Sequence, residues 1–199
     1  MNDKSDDDLQ ALVFKNRGLL LTIPAVLLAL FGKPSATSVA LGLPVAIAGE
    51  LIRCWAVGYS GVTTRGDHVE APQLVTAGPY AYVRNPLYVG NFITALGFAV
   101  AFTGKNSLPA KLALVGGSLA AMAAVYATIV PHEEAFLRSE FGAAFDRYCE
   151  DVPPIVPRSQ PALGGTGTWN PSVIREAESR TFVTFGAMLG ALVLKTLRA

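Results

Sequence analysis

Charged side chains are scarce in this chain. Asp, Glu, Lys and Arg make up only 16% of its 199 residues, whereas a soluble domain carries about 25%. The formal net charge of +1 argues against a basic surface for nucleic acid. Hydrophobic residues reach 51% and collect in long runs separated by short charged loops. This distribution predicts a polytopic membrane protein in contact with membrane lipids.

Cysteine and histidine are almost absent. Cys54 and Cys149 lie far apart, and His68 and His132 stand alone. This spacing forms no metal site and no disulfide framework, and no Ser-His-Asp arrangement is legible. We therefore expect no metal.

Two other signals are missing. The first ten residues are acidic and polar, whereas a cleavable signal peptide opens with a basic region. We expect residues 1–11 to form a polar tail. The glycine-rich segment 163–168 lacks the Gly-Lys-Ser/Thr ending of a phosphate loop. We interpret it as part of a flexible linker over residues 159–180.

Five apolar runs have the length or composition of membrane spans. Because only helices or closed barrels satisfy the backbone in lipid, and the runs lack period-2 alternation, we expect helices. The predicted fold class is all-α, a bundle of about five transmembrane helices. The predicted spans are residues 12–31, 38–59, 86–102, 108–130 and 181–197, with a tight turn at residues 103–107.

Basic residues are distributed unevenly between the two sides of such a bundle. Five spans place the loops 60–85 and 131–180 on the same side as the N-terminus. That side holds Lys4, Lys15, Arg17, Arg65, Arg84, Arg138, Arg147, Arg158, Arg175 and Arg180, whereas the other side holds Lys33, Lys105, Lys111, Lys195 and Arg198. This bias predicts that both loops face the cytoplasm of a bacterial or archaeal-type inner or plasma membrane.

The second loop begins with a predicted amphipathic helix over residues 132–150. Leu137, Phe141, Phe145 and Tyr148 recur at three- and four-residue spacing, with charged residues on the other faces. We expect this helix to lie on the cytoplasmic membrane surface. The proline-rich stretch 152–157 after it cannot be helical.

Two sequence blocks carry the most information about function. The first is Gly-Pro-Tyr-Ala-Tyr-Val-Arg-Asn-Pro-Leu-Tyr-Val-Gly over residues 78–90. The second begins with Pro-His-Glu-Glu at residues 131–134 and continues through Phe141-Gly142 and Tyr148 to Val-Pro-Arg at residues 156–158. In this order, with a hairpin between them, they resemble the isoprenylcysteine carboxyl methyltransferase and phospholipid methyltransferase family of integral-membrane enzymes. The resemblance covers a core of residues 50–158.

The resemblance implies S-adenosyl-L-methionine as cofactor and a lipid-like methyl acceptor, an isoprenylcysteine-type carboxylate or a phospholipid amine. It implies catalytic roles for Arg84, Asn85 and Glu133. It implies cofactor binding by Tyr80, Tyr82, Arg84, Tyr88, His132, Glu133 and Glu134.

Each of these residues also has a purely structural interpretation. The tyrosines suit an interfacial aromatic belt, and Arg84 suits a cytoplasmic anchor. The glutamates suit a helix N-terminus, and His132 suits a helix cap. Asn85 departs from the Arg-His-Pro of many relatives, and asparagine cannot titrate near neutral pH.

Two ionisable residues lie inside the second span. Glu50 and Arg53 are three residues apart and share one helix face. Such residues usually point at a partner or a polar cavity. We expect the pair to border the cofactor or acceptor cavity, with a mutual ion pair as the alternative. For the chain as a whole, the alternatives are an NADPH-dependent membrane reductase of the sterol-reductase type and a non-catalytic lipid-binding protein.

Overall fold

The computed structural model describes residues 3–61 and 71–198, and the regular structure in these residues is entirely helical. The predicted all-α fold class is therefore confirmed. The helices are α1 Asp3–Phe31, α2 Ala36–Ser60, α3 Pro86–Phe102, α4 Leu108–Phe141, α5 Ala143–Asp151, α6 Ile174–Ala177 and α7 Ser179–Leu197, with 3₁₀ turns at Gly78–Ala81 and Pro171–Val173. Arg65 and His68 lie outside the described residues.

Four helices, α1, α2, α4 and α7, are long and apolar enough to cross a membrane. The third predicted span is present as α3, which is apolar but has only 17 residues. Large apolar side chains on these helices are exposed, among them Leu19 at 68% and Leu112 at 64%. Exposed leucines on long apolar helices are what lipid contact requires, so the chain is an integral membrane protein of the helical class.

The predicted first span is confirmed as the apolar part of α1, Leu12–Phe31, whereas the helix itself begins at Asp3 and so includes most of the polar residues before the span. One predicted helix boundary is wrong. Helix α4 runs through Pro131 to Phe141, so the predicted amphipathic helix over residues 132–150 is not one element. Its first half extends α4. The break comes at Gly142, whose φ of +50° is a conformation that glycine adopts readily.

Contacts divide the chain into two compact units. The second unit holds Arg17–Leu51, Gly90–Val125 and Arg180–Ala199 in its described part. Its core includes Leu28, Phe98, Phe102 and Leu192. Here α2 and α3 pack backbone to backbone, since a Cβ on Gly97 would lie 2.7 Å from the Gly42 carbonyl oxygen.

The turns at one end of the second unit are joined by hydrogen bonds. The Asn106 amide donates to the Phe31 carbonyl over 3.1 Å and accepts from the Lys33 backbone N–H over 2.7 Å. The Lys195 ammonium at the end of α7 donates to the carbonyls of Leu30 and Gly32, each over 2.9 Å. Three of the basic residues assigned to one side, including Lys105, therefore do meet at one end of this unit.

The first unit holds the described residues within Met1–Asn16, Ile52–Val89 and Tyr126–Ser179. It contains both sequence blocks. We call residues 74–85 the motif loop and residues 153–178 the C-terminal strap. The strap includes most of the predicted linker, and it is not a bare connection: the Thr166 carbonyl accepts from the backbone N–H groups of Thr76 and Ala77 over 2.9 and 3.0 Å.

Candidate active site

The centre of the site is an ion pair between the two sequence blocks. The Arg84 guanidinium donates from Nε and Nη2 to the two carboxylate oxygens of Glu134, over 2.9 and 3.0 Å. Its third nitrogen donates to the Val152 carbonyl over 2.6 Å. The two side chains are only 11% and 16% exposed. This parallel two-bond geometry fixes the position of the carboxylate as well as its charge.

Asn85 adds a second donor to the same carboxylate. Its amide nitrogen lies 3.4 Å from Glu134 Oε1 and donates to the Pro154 carbonyl over 3.1 Å. The Asn85 carbonyl accepts from the backbone N–H of Tyr88 over 3.1 Å in the first turn of α3. Asn85 therefore connects the motif loop, α3, α4 and the strap through hydrogen bonds that need no titration.

Glu133 lies beside this pair and has a different partner. The Tyr88 hydroxyl donates to Glu133 Oε1 over 2.6 Å. The Tyr88 ring also lies 4.3 Å, centroid to centroid, from the ring of Tyr126 on α4. The two adjacent glutamates are thus oriented by different side chains, one by an arginine and one by a tyrosine. Both lie inside α4, so the alternative that they complement a helix N-terminus is wrong.

The remaining tyrosines of the motif loop are Tyr80 and Tyr82. Tyr80 is hydrogen-bonded to α5 and Tyr82 to the strap. Burial raises the pKa of Tyr80 to about 12, although a hydrogen bond with Ser60 lowers it in part. The Tyr148 hydroxyl donates to the Tyr80 carbonyl over 2.7 Å, and burial raises the pKa of Tyr148 far above its ordinary value. The Tyr82 ring lies 6.2 Å from the Trp55 ring. Both phenols with raised pKa values are neutral at physiological pH.

Three further predicted site residues are His132, Arg53 and Glu50. His132 lies against the Phe14 ring, with centroids 5.9 Å apart, and as a residue inside α4 it is not a helix cap. Arg53 is buried, and its Nη2 donates to both carboxylate oxygens of Glu178 over 2.8 and 2.9 Å. Glu50 is buried in α2, with 8% exposure.

Sequence reasoning missed Glu178 and Tyr126. Glu178 lies in the predicted linker, where a glutamate is usually solvated, yet it is completely buried. Its only sequence signal was the charge of Arg53 inside an apolar run, which requires a partner or a polar cavity. Tyr126 lies eight positions before Glu134, about two helical turns, within an otherwise apolar span. Among residues 3–61 and 71–198, no group of His, Cys, Asp or Glu is placed to hold a metal ion.

Comparison with known proteins assigns the family. The phospholipid methyltransferase family model matches residues 37–144, more than half of the chain and including the motif loop, Glu133 and Glu134. The chain belongs to this family of membrane proteins. This confirms the resemblance seen in the two sequence blocks.

Curated proteins are similar to this chain over part of its length. The chain is 34% identical over 129 residues to the cobalt-zinc-cadmium resistance protein CzcN of Cupriavidus metallidurans, covering 65% of this chain and 51% of that protein. It is 38% identical over 91 residues to the protein-S-isoprenylcysteine O-methyltransferase of Schizosaccharomyces pombe, covering 46% and 34%. It is 32% identical over 120 residues to protein-S-isoprenylcysteine O-methyltransferase A of Arabidopsis thaliana, covering 58% and 57%. The chain spans about half the length of the first two curated relatives it matches. No solved structure matches significantly.

Proposed function

We propose that this chain is a membrane methyltransferase that uses S-adenosyl-L-methionine and acts on a lipid-like acceptor. The observation that carries the proposal is the pair of adjacent glutamates, Glu133 and Glu134, held by side chains of the first sequence block. Arg84 and Tyr88 hold these carboxylates over 2.6 to 3.0 Å, and all four residues lie within the residues that the family model matches.

The residues present fit the charges of this cofactor. Its ammonium and ribose hydroxyls need carboxylate acceptors, which Glu133 and Glu134 offer. Its sulfonium is a cation, and an aromatic face such as that of Tyr88, which is partly exposed, stabilises a cation by roughly 0.5–2 kcal/mol. When bound, it supplies a methyl group made electrophilic by the positively charged sulfur.

The protein residues then have positioning and binding roles rather than acid–base roles. We assign Arg84 to orienting the Glu134 carboxylate, because its guanidinium nitrogens bond to Glu134 and to the carbonyls of Val152 and Cys149. We assign Tyr88 to orienting Glu133 by donating its hydroxyl proton. Tyr80, Tyr82 and His132 belong to the same compact unit. We assign them to further contacts with the cofactor.

The asparagine at position 85 favours a methyl acceptor that needs no general base. An asparagine amide cannot remove a proton, and here it donates to Glu134 and to a carbonyl. A carboxylate is already nucleophilic at pH 7, whereas an amine must first lose a proton. We therefore place a prenylcysteine-type carboxylate ahead of a phospholipid amine, in line with the relatives named isoprenylcysteine O-methyltransferases.

Equilibrium binding to purified protein in detergent tests the proposal. Radiolabelled S-adenosylmethionine should bind and NADPH should not. Glu133→Gln or Glu134→Gln should weaken binding about 10- to 100-fold in at least one case, because a bond to a charged group contributes about 1.5–3 kcal/mol. Glu140→Gln, an exposed glutamate on the same helix, is the matched control and should bind like the parent.

Two results would contradict the proposal. Binding of NADPH instead of S-adenosylmethionine would support the reductase alternative. Parental affinity in both glutamate variants would move the cofactor away from the two glutamates. Once binding is established, methyl transfer to N-acetyl-S-farnesylcysteine and to phosphatidylethanolamine vesicles separates the two acceptor classes.

A further inference from the structure

The compact unit that contains the candidate site also contains a buried ion pair. The proposed mechanism does not use this pair. Arg53 on α2 is 8% exposed, and Glu178 at the end of the strap is fully buried. Both carboxylate oxygens of Glu178 accept from Arg53 Nη2, over 2.8 and 2.9 Å. Taking two charges out of water is costly, so such pairs persist where they fix a geometry. Glu178 also lies beyond the residues that the family model matches.

Arg53 reaches the site through a third element. Its Nη1 lies 3.5 Å from the Leu87 carbonyl oxygen in the first turn of α3. Leu87 stands between Asn85 and Tyr88, the residues that bond to Glu134 and Glu133. The Arg53 guanidinium therefore contacts the helical turn that carries Tyr88 and directly follows Asn85. These two residues bond to Glu133 and Glu134.

The strap brings Glu178 to this position by a series of fixed contacts. Arg158 N–H donates to the Tyr82 carbonyl over 3.0 Å, and Ala162 N–H donates to the Ala81 carbonyl over 2.9 Å. Further along, Asn170 N–H donates to the Gly58 carbonyl over 2.7 Å. The indole of Trp169 occupies the space that a side chain at Gly58 would need. The strap is thus anchored to the motif loop and to α2 before it ends at Glu178.

We infer that Glu178 is a positioning residue for the candidate active site. It holds the Arg53 guanidinium, which in turn holds the first turn of α3 and with it Tyr88 and Asn85. Its effect on cofactor binding rests on the proposed function above, whereas its effect on the α3 turn does not. The region outside the family match therefore contributes directly to the order of the site.

The test compares variants that separate stability from positioning. Glu178→Gln removes the Glu178 charge from the buried Arg53 guanidinium, which destabilises the fold. The double variant Arg53→Met with Glu178→Leu replaces the pair by apolar side chains of similar size, a change that often restores or raises stability. It still lacks the donor to the Leu87 carbonyl. Glu178→Asp keeps the charge on a shorter arm.

Two readouts are measured on the full chain in detergent, below the unfolding midpoint of each variant. These are the affinity for S-adenosylhomocysteine and the hydrogen–deuterium exchange rate of the backbone amides of residues 87–90. We expect Glu178→Gln and the double variant to bind about tenfold more weakly and to exchange about tenfold faster in that turn, the effect of losing one net hydrogen bond or slightly more. Glu178→Asp should show a smaller change in the same direction. Asp146→Asn, which breaks the exposed pair with Arg138, should change neither readout.

The outcomes distinguish this inference from the proposed function. A double variant with parental stability, affinity and exchange would contradict the inference and leave the pair a structural ion pair only. If the other variants fail to fold, parental exchange in the α3 turn of Glu178→Asp would lead to the same conclusion. If the parent does not bind S-adenosylhomocysteine, the proposed function fails. Faster exchange confined to residues 87–90 would then still support the positioning role.

Discussion

At the scale of single residues, Tyr80 and Tyr148 connect the motif loop to α5. The Tyr148 hydroxyl donates to the Tyr80 carbonyl, and burial raises the pKa of both side chains, to about 12 for Tyr80. The ordinary tyrosine pKa is about 10. Above that pH the unfolded chain loses these protons first, so proton loss favours unfolding. We predict that stability falls as pH rises from about 10 towards 12.

Thermal unfolding midpoints in detergent, measured from neutral pH upwards, check this prediction. Tyr80→Phe should have a shallower decline above pH 10, because one titrating group is removed. Tyr148→Phe should also be shallower, and less stable at every pH since it loses the hydrogen bond to the Tyr80 carbonyl. An alkaline decline equal to the parent's in both variants would show that neither phenol is responsible.

The sequence singled out residues that the fold brings together in the candidate site, but it did not indicate their partners. Arg84, Asn85, Glu133 and Glu134 stood out because they are polar groups in two compact blocks. The pairing of Arg84 with Glu134, fifty positions apart, depends on how the motif loop packs against α4. The expectation that Arg84 binds the cofactor stays a prediction, and in the structure its guanidinium bonds to Glu134 and to the Val152 carbonyl.

At the scale of helices, α2 and α3 pack through glycine and alanine. A Cβ on Gly97 would overlap backbone atoms of Ala46 and the Gly42 carbonyl. Backbone cannot move aside as a flexible side chain can, so Gly97→Ala should cost about 1–3 kcal/mol through overpacking. We predict a clearly lower unfolding midpoint for Gly97→Ala in detergent.

Gly116→Ala is the matched control for this substitution. Gly116 lies on α4 with open space where a Cβ would be added. Alanine favours helix over glycine by about 0.5–1 kcal/mol, so this variant should be equal to the parent or slightly more stable. A Gly97→Ala protein as stable as Gly116→Ala would mean that α2 and α3 do not pack this closely.

Helix positions followed from hydrophobic runs, whereas two helix ends did not. The spans 86–102 and 181–197 were predicted within two residues of α3 and α7. The predicted stop before Pro131 was wrong because a proline removes only one hydrogen-bond donor, and a packed membrane helix can continue through it. Pro24 and Pro44 also lie inside helices. The sequence signal for the true break was Gly142, which Phe141 and Ala143 flank.

At the scale of the whole molecule, the fold class followed from composition, because long apolar runs leave few alternatives in lipid. The docked strap could not be predicted. Its glycines and prolines are typical of flexible linkers, and its fixed position comes from backbone hydrogen bonds such as Thr76 N–H to the Thr166 carbonyl. Backbone pairing of this kind leaves no mark on side-chain pattern.

The orientation of the protein in the membrane remains a prediction that one labelling experiment decides. The basic bias predicts that the strap faces the cytoplasm and the turn at Lys105 faces outward. In a background with Cys54 and Cys149 replaced by alanine, Leu163→Cys and Lys105→Cys introduce single thiols at exposed positions; Leu163 is 97% exposed. An impermeant maleimide applied to intact spheroplasts should label position 105, and position 163 only after permeabilisation. The reverse pattern would place the strap and the candidate site outside the cell, where a cofactor made in the cytosol does not reach them.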